Sequence, residues 1–292
     1  MTPGAHSRDV LVGVAFMCLG AALLPFMNTF AKSLAAEYPL WQVVWARFLG
    51  HLIWVSILFA PALGRSLFIS RRPWQQMGRS GIFFVSNAAF ISALPFTPLA
   101  TASSIMFTTP LVVTLLAIPL LGERVGRWRV GACVLGFVGA LIIIRPGTEM
   151  FNAGSALVAL SAGCFGLYQL WTRMLSKVER SETQVVYMAL VGAIGASLLV
   201  PFVWETPHSW SHIGAFCAVG LVGGIAQFCV IQALQRGPAS VISPIGYVEL
   251  PSAVAFGYAV FGDFPDQATW IGAALIIAAG LTLAYRESRA VQ

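Results

Sequence analysis

Long apolar runs broken by short polar segments dominate this chain. The runs cover residues 10–31, 41–60, 78–94, 99–121, 130–144, 153–171, 183–203, 212–234, 239–261 and 270–285. A helix needs about 20 residues to cross a bilayer, so the pattern predicts ten spans with short connections and no separate soluble domain. Lipid admits only helices or closed barrels, and runs this long do not alternate as barrel strands do. The predicted fold class is an all-α membrane protein. The first run is too long for a signal-peptide core and reads as a retained span.

Composition agrees with the pattern. The chain is 58% hydrophobic and only 10% charged, with mean hydropathy +0.81, whereas soluble domains carry about 25% charged residues. The net charge of +6 does not mark a nucleic-acid binder, because the basic residues lie between apolar runs and not in one patch. They set orientation instead. With the N-terminus in the cytoplasm, the inner segments hold Arg8; Arg65, Arg71, Arg72 and Arg79; Arg124, Arg127 and Arg129; Arg173, Lys177 and Arg180; Arg236; and Arg286 and Arg289. That is fourteen of the seventeen Lys and Arg residues, a strong asymmetry by the positive-inside rule. Both termini are therefore expected in the cytoplasm. Lys32 and Arg145 fall outside, and Arg47 lies within the second run, where it either snorkels outward or pairs with an acid. Trp41, Trp45, Trp204, Trp210 and Trp270 fall near the outer interface, and Trp74, Trp128 and Trp171 near the inner one, as anchors. The five cysteines all fall in apolar runs without paired spacing and read as packing residues. No metal or cofactor is expected.

Displaced by about 140 residues, the chain echoes itself. Pro98, Pro110, Gly122-Glu123, Gly131-Ala132 and Gly139 are answered by Pro238, Pro251, Gly262-Asp263, Gly272-Ala273 and Gly280. Gln42-Val43-Val44-Trp45 is answered by Gln184-Val185-Val186-Tyr187; Asn28 and Lys32 by Gln169 and Arg173; and Asn87 by Gln227. The spacing predicts two repeats, 1–147 and 148–292, of five spans each. An odd number of crossings makes the second copy enter from the opposite side. Such inverted repeats around a central cavity belong to secondary transporters that work by alternating access.

With its Gly122-Glu123 ending to the fourth run, the echo at Gly262-Asp263 and the Gly-rich runs that follow, the chain resembles the drug/metabolite transporter superfamily, in particular its ten-helix EamA-type exporters. Asp263 departs from the family's usual Gly-Glu. The resemblance spans nearly the whole chain and implies export of amino acids or similar metabolites across a bacterial inner membrane; among members the chain looks most like the group that includes the aromatic amino acid exporter.

Several polar residues at membrane depth are candidates for contact with a small-molecule substrate. Glu249 stands out, since a central acid costs roughly 2.5–3.5 kcal/mol on insertion scales and marks a functional site by default. Its carboxyl either takes a proton, which desolvation favours, or meets the ammonium of a substrate, or bonds a neighbouring helix. Asn87 and Gln227 are amides that need partners in lipid. Ser104 and Thr108 share a face and either line the cavity or bond back to their own helix. Tyr168 and Trp171 form either an aromatic wall or part of the belt. Tyr247 is about 200° from Glu249 around a helix, so both line one cavity only where Pro244 or Pro251 bends or unwinds it; Pro110 is a further bending point. Glu123 and Asp263 hold span ends.

A multidrug exporter is the alternative, though it calls for more acid than one Glu. A polytopic enzyme calls for clustered Asp, His or Cys, and no such cluster, metal-ligand spacing or phosphate loop occurs. The chain has no nucleotide-binding domain, and a monomer is compatible with the pattern.

Overall fold

A computed structural model of the chain describes residues 3–109, 112–113, 115–116, 127–145, 152–175, 178–236 and 243–290. Among them the protein is helical, with no strand. The helices are α1 (Pro3–Glu37), α2 (Leu40–Leu63), α3 (Pro73–Ala93), α4 (Leu99–Met106), α5 (Arg127–Ile144), α6 (Ala153–Leu175), α7 (Ser181–Leu199), α8 (Trp210–Arg236), α9 (Glu249–Phe261) and α10 (Gln267–Ala290). Short 3-10 segments occur at Gly64–Phe68, Val200–Phe202 and Ser243–Val248. Among the described residues, five stretches are long and apolar enough to cross a membrane: Leu11–Glu37, Leu40–Phe68, Ala153–Thr172, Glu182–Phe202 and Trp210–Val230. This is a membrane protein.

Local chemistry sets the boundaries. Pro39 and Pro98 stand at the N-caps of α2 and α4, and Pro73 opens α3, positions where a missing N–H costs no helical bond. Asn152 caps α6 by accepting from the Ser155 N–H at 3.0 Å, and Asp266 caps α10 through the Thr269 N–H at 2.9 Å. Gly262, at φ 71, ends α9 in the left-handed conformation. Its N–H bonds Tyr258 O at 3.0 Å, and the Asp263 N–H bonds Gly257 O at 3.2 Å. Here the Gly-Asp pair has a backbone reason, since a side chain at that φ costs about 1–2 kcal/mol. The counterpart Gly122-Glu123 and the bending point Pro110 lie outside the described residues.

The chain divides into two compact units. One comprises residues 1–29, 98–151 and 225–292, the other 30–97 and 152–224. Each takes segments from both halves of the sequence. In the first unit α5 packs on α10 and α4 on α9; in the second, α3 packs on α6 and α7, and α2 on α7. The pairs α2–α7, α4–α9 and α5–α10 are those that the sequence echo relates. The α5–α10 crossing brings backbones into contact: a Cβ at Gly139 would lie 2.7 Å from Gly272 O, and one at Gly272 would lie 2.5 Å from Gly139 O. Only small residues permit this approach.

Candidate functional site

In the first unit, the described part of the run 239–261, expected as one span, is not a single α-helix. The 3-10 segment Ser243–Val248 gives way to α9 at Glu249. Pro244 lies within the 3-10 segment, and Pro251 is the third residue of α9, in the first turn, where N–H groups lack intrahelical partners. Glu249 thus sits at a junction of two helix types and is half-buried. Tyr247 shares the 3-10 segment; its side chain lies outside the described residues. On α4, Ser104 Oγ donates to Ala100 O at 2.8 Å, and just beyond it Thr108 Oγ1 donates to Ile105 O at 2.7 Å. Both hydroxyl protons bond the local backbone, which leaves oxygen lone pairs as the groups available to a substrate. Gln227 is half-buried on α8. Near the loop end, Arg145 pairs with Asp266.

The second unit holds a denser polar core. With its amide oxygen turned to two donors, Asn87 of α3 accepts from Arg47 Nε at 3.1 Å and Nη2 at 3.3 Å. The amide of Asn87 thus meets the half-buried Arg47 guanidinium within this unit. His51, one turn along α2 from Arg47, is also buried.

Arg79 departs further from its sequence-based placement among inner-loop cations. It lies on α3 with no exposed surface. Its Nη1 donates to Thr172 Oγ1 at 2.9 Å, its Nη2 to Gln184 O at 2.6 Å, and its guanidinium lies 5.0 Å over the Tyr168 ring. The ring is held by Phe83 at 4.7 Å and Phe165 at 5.7 Å, and its hydroxyl donates to Met188 Sδ at 3.2 Å. Trp171 packs under Gly78, where a Cβ would meet its Cη2 at 3.0 Å. Tyr168 is thus an aromatic platform for a cation, and Trp171 braces the start of α3.

Arg79, Gln76, Gln184 and His51 escaped the sequence reading. A charge at the polar edge of an apolar run looks like an orientation signal, and only the packing of α6 and α7 on α3 shows it enclosed. The spacing of Gln76, Arg79 and Ser80, which puts three polar groups on one helix face, was the available clue.

Comparison with known proteins accounts for this arrangement of helices. The EamA-like transporter family matches residues 11–145 and again 152–285. The chain belongs to that family. It is 30% identical to a riboflavin transporter of Rhizobium johnstonii over 96% of this chain and 90% of the relative. It is 26% identical to an S-adenosylmethionine uptake transporter of Rickettsia conorii, covering 97% and 96%, and 24% identical to a pseudopaline exporter of Pseudomonas aeruginosa, covering 93% and 95%. A solved crystal structure shares the fold with TM-score 0.63 over 96% of this chain and 98% of its own, at 22% identity. The EamA-like protein is a transporter and not an enzyme.

Proposed function

We propose that this EamA-like protein is a secondary transporter that moves a small organic metabolite by alternating access, with ten spans built as two inverted repeats, 1–147 and 148–292. The observation that carries the reading is the double match of one transporter family, once in each half. The packing of echo-related helices on each other, α2–α7, α4–α9 and α5–α10, supports it. Amino acids or similar metabolites are the proposed substrates, and export from the cytoplasm of a bacterial inner membrane, with both termini inside, is the proposed direction. Asn87, Ser104, Thr108, Tyr168, Trp171, Gln227, Tyr247 and Glu249 are the proposed contacts.

A second substrate reading, a planar heterocyclic metabolite, is favoured by the relative named as a riboflavin transporter and by the aromatic cluster of Tyr168 with Phe83 and Phe165. Counterflow in proteoliposomes decides between them. Purified protein is loaded with amino acids, S-adenosylmethionine or riboflavin, and exchange of labelled compound is followed. Exchange of amino acids alone supports the first reading, and exchange of riboflavin alone the second. No exchange of any of them removes both.

A further inference from the structure

Helix α3 presents Gln76, Arg79 and Ser80 on one face, and all three are fully buried. The groups that meet Arg79 among the described residues are the Thr172 hydroxyl, the Gln184 backbone carbonyl and the Tyr168 side chain, none of which is a carboxylate. Around this cation, five polar atoms have no hydrogen-bond partner among the described residues: Arg79 Nε, both amide atoms of Gln76, Ser80 Oγ and Gln184 Oε1. Gln184 belongs to the cluster because its backbone oxygen holds Arg79. Buried charges are normally paired and buried polar groups bonded. So dense a set of orphans about a single guanidinium matches a ligand's polar groups.

We propose that this cluster receives the carboxylate end of the transported metabolite, a proposal that rests on the transporter reading above and names the substrate's recognition group. A guanidinium edge offers a planar fork of donors that fits two carboxylate oxygens. Gln76 Nε2 and Ser80 Oγ add donors, while Gln76 Oε1 and Gln184 Oε1 are acceptors for an adjacent ammonium or hydroxyl. The complementary ligand is an α-amino or α-hydroxy carboxylate. Thr183, next to Gln184, lines an open cavity of about 470 Å³ together with Ser66, Arg71 and Arg180. The acid at this mouth, Glu179, is engaged by Ser70 Oγ at 2.7 Å and the Arg72 N–H at 2.8 Å. Arg79 has no exposed surface and α3 packs on α7, so entry of a ligand from this cavity requires the two helices to part at this end.

The test uses the full-length protein in detergent. Its thermal unfolding midpoint is measured with L-amino acids, with their carboxamides and with S-adenosylmethionine. At least one carboxylate is expected to raise the midpoint where its carboxamide does not. Arg79→Gln should weaken that response roughly ten- to hundredfold, the scale of one hydrogen-bonded charge, while Arg79→Lys keeps part of it. Gln76→Glu places a fixed carboxylate beside Arg79, so it should raise the midpoint without ligand and abolish the ligand response. That variant keeps the test open if Arg79→Gln fails to fold. Equal responses to acids and amides, no response to any acid, or a full response in Gln76→Glu overturns the proposal. Flux is measured separately. Transport without an Arg79-dependent acid preference leaves the transporter reading standing, and acid binding without flux leaves the carboxylate site standing.

Discussion

Glu249 opens α9 directly after a 3-10 segment, so a titratable group sits where the backbone changes its hydrogen-bonding pattern. If it exchanges protons during transport, Glu249→Gln should give folded, inserted protein with much reduced flux and no pH dependence around the wild-type midpoint. Wild-type rates with the same pH profile would make it a packing residue. Asp266 is a simpler case. Burial pushes its carboxyl up, but the Thr269 hydroxyl and N–H and the Arg145 guanidinium outweigh this and hold it below the ordinary carboxylate value. A group lowered in the folded state stabilises above its unfolded pKa, near 4 for an aspartate to about a unit, and loses that contribution as pH falls through the folded value. Asp266→Ala removes both cap and ion pair and should cost about 1 kcal/mol, whereas Asp266→Asn keeps the cap and should lose less and show a flatter acid limb. Thermal unfolding from about pH 7 down to about pH 3, a window that brackets the ordinary carboxylate range, separates the two variants. Of these residues, Glu249 was legible in the sequence, because an acid in an apolar run is rare. Arg79 was not, because its burial depends on which helices cover α3.

At the scale of elements, close helix contact replaces the hydrophobic effect, since lipid is as apolar as the side chains that would be buried. Gly272 shows the consequence. A Cβ there would meet Gly139 O at 2.5 Å and Ile143 Cγ1 at 2.5 Å, and the first is backbone that cannot rotate away. Gly272→Val should therefore cost about 1–3 kcal/mol as overpacking and lower the yield of monodisperse protein. At Gly131 an added methyl would have no neighbour within 4 Å among the described residues, so Gly131→Ala should be tolerated. Fluorescence-detected size exclusion of the two variants gives the comparison, and equal yields would remove the α5–α10 contact as a determinant of folding. The small residues were visible in the sequence, but their contacts were not: the echo relates positions of the two halves without saying which touch, and the structure sets Gly139 against Gly272.

For the whole molecule, the proposed ten spans predict that single cysteines at Ser66 and Ser181, in a cysteine-free background, are labelled only from the cytoplasmic side, and one at Thr206 only from outside. Labelling of positions 66 and 206 from the same side would sink that topology. The sequence by itself determined that the chain is a helical membrane protein, because run length and the scarcity of charge are local properties that lipid reads directly. Its internal echo was equally local, being a comparison of the chain with itself. Only the tertiary structure decided that the compact units draw on both halves, that Arg47 is met by an amide, and that Arg79 is enclosed beside polar groups without a partner among the described residues. Those outcomes depend on contacts between segments distant in sequence, as Arg79 and Gln184 are, and no periodicity along one helix specifies which distant face will cover it.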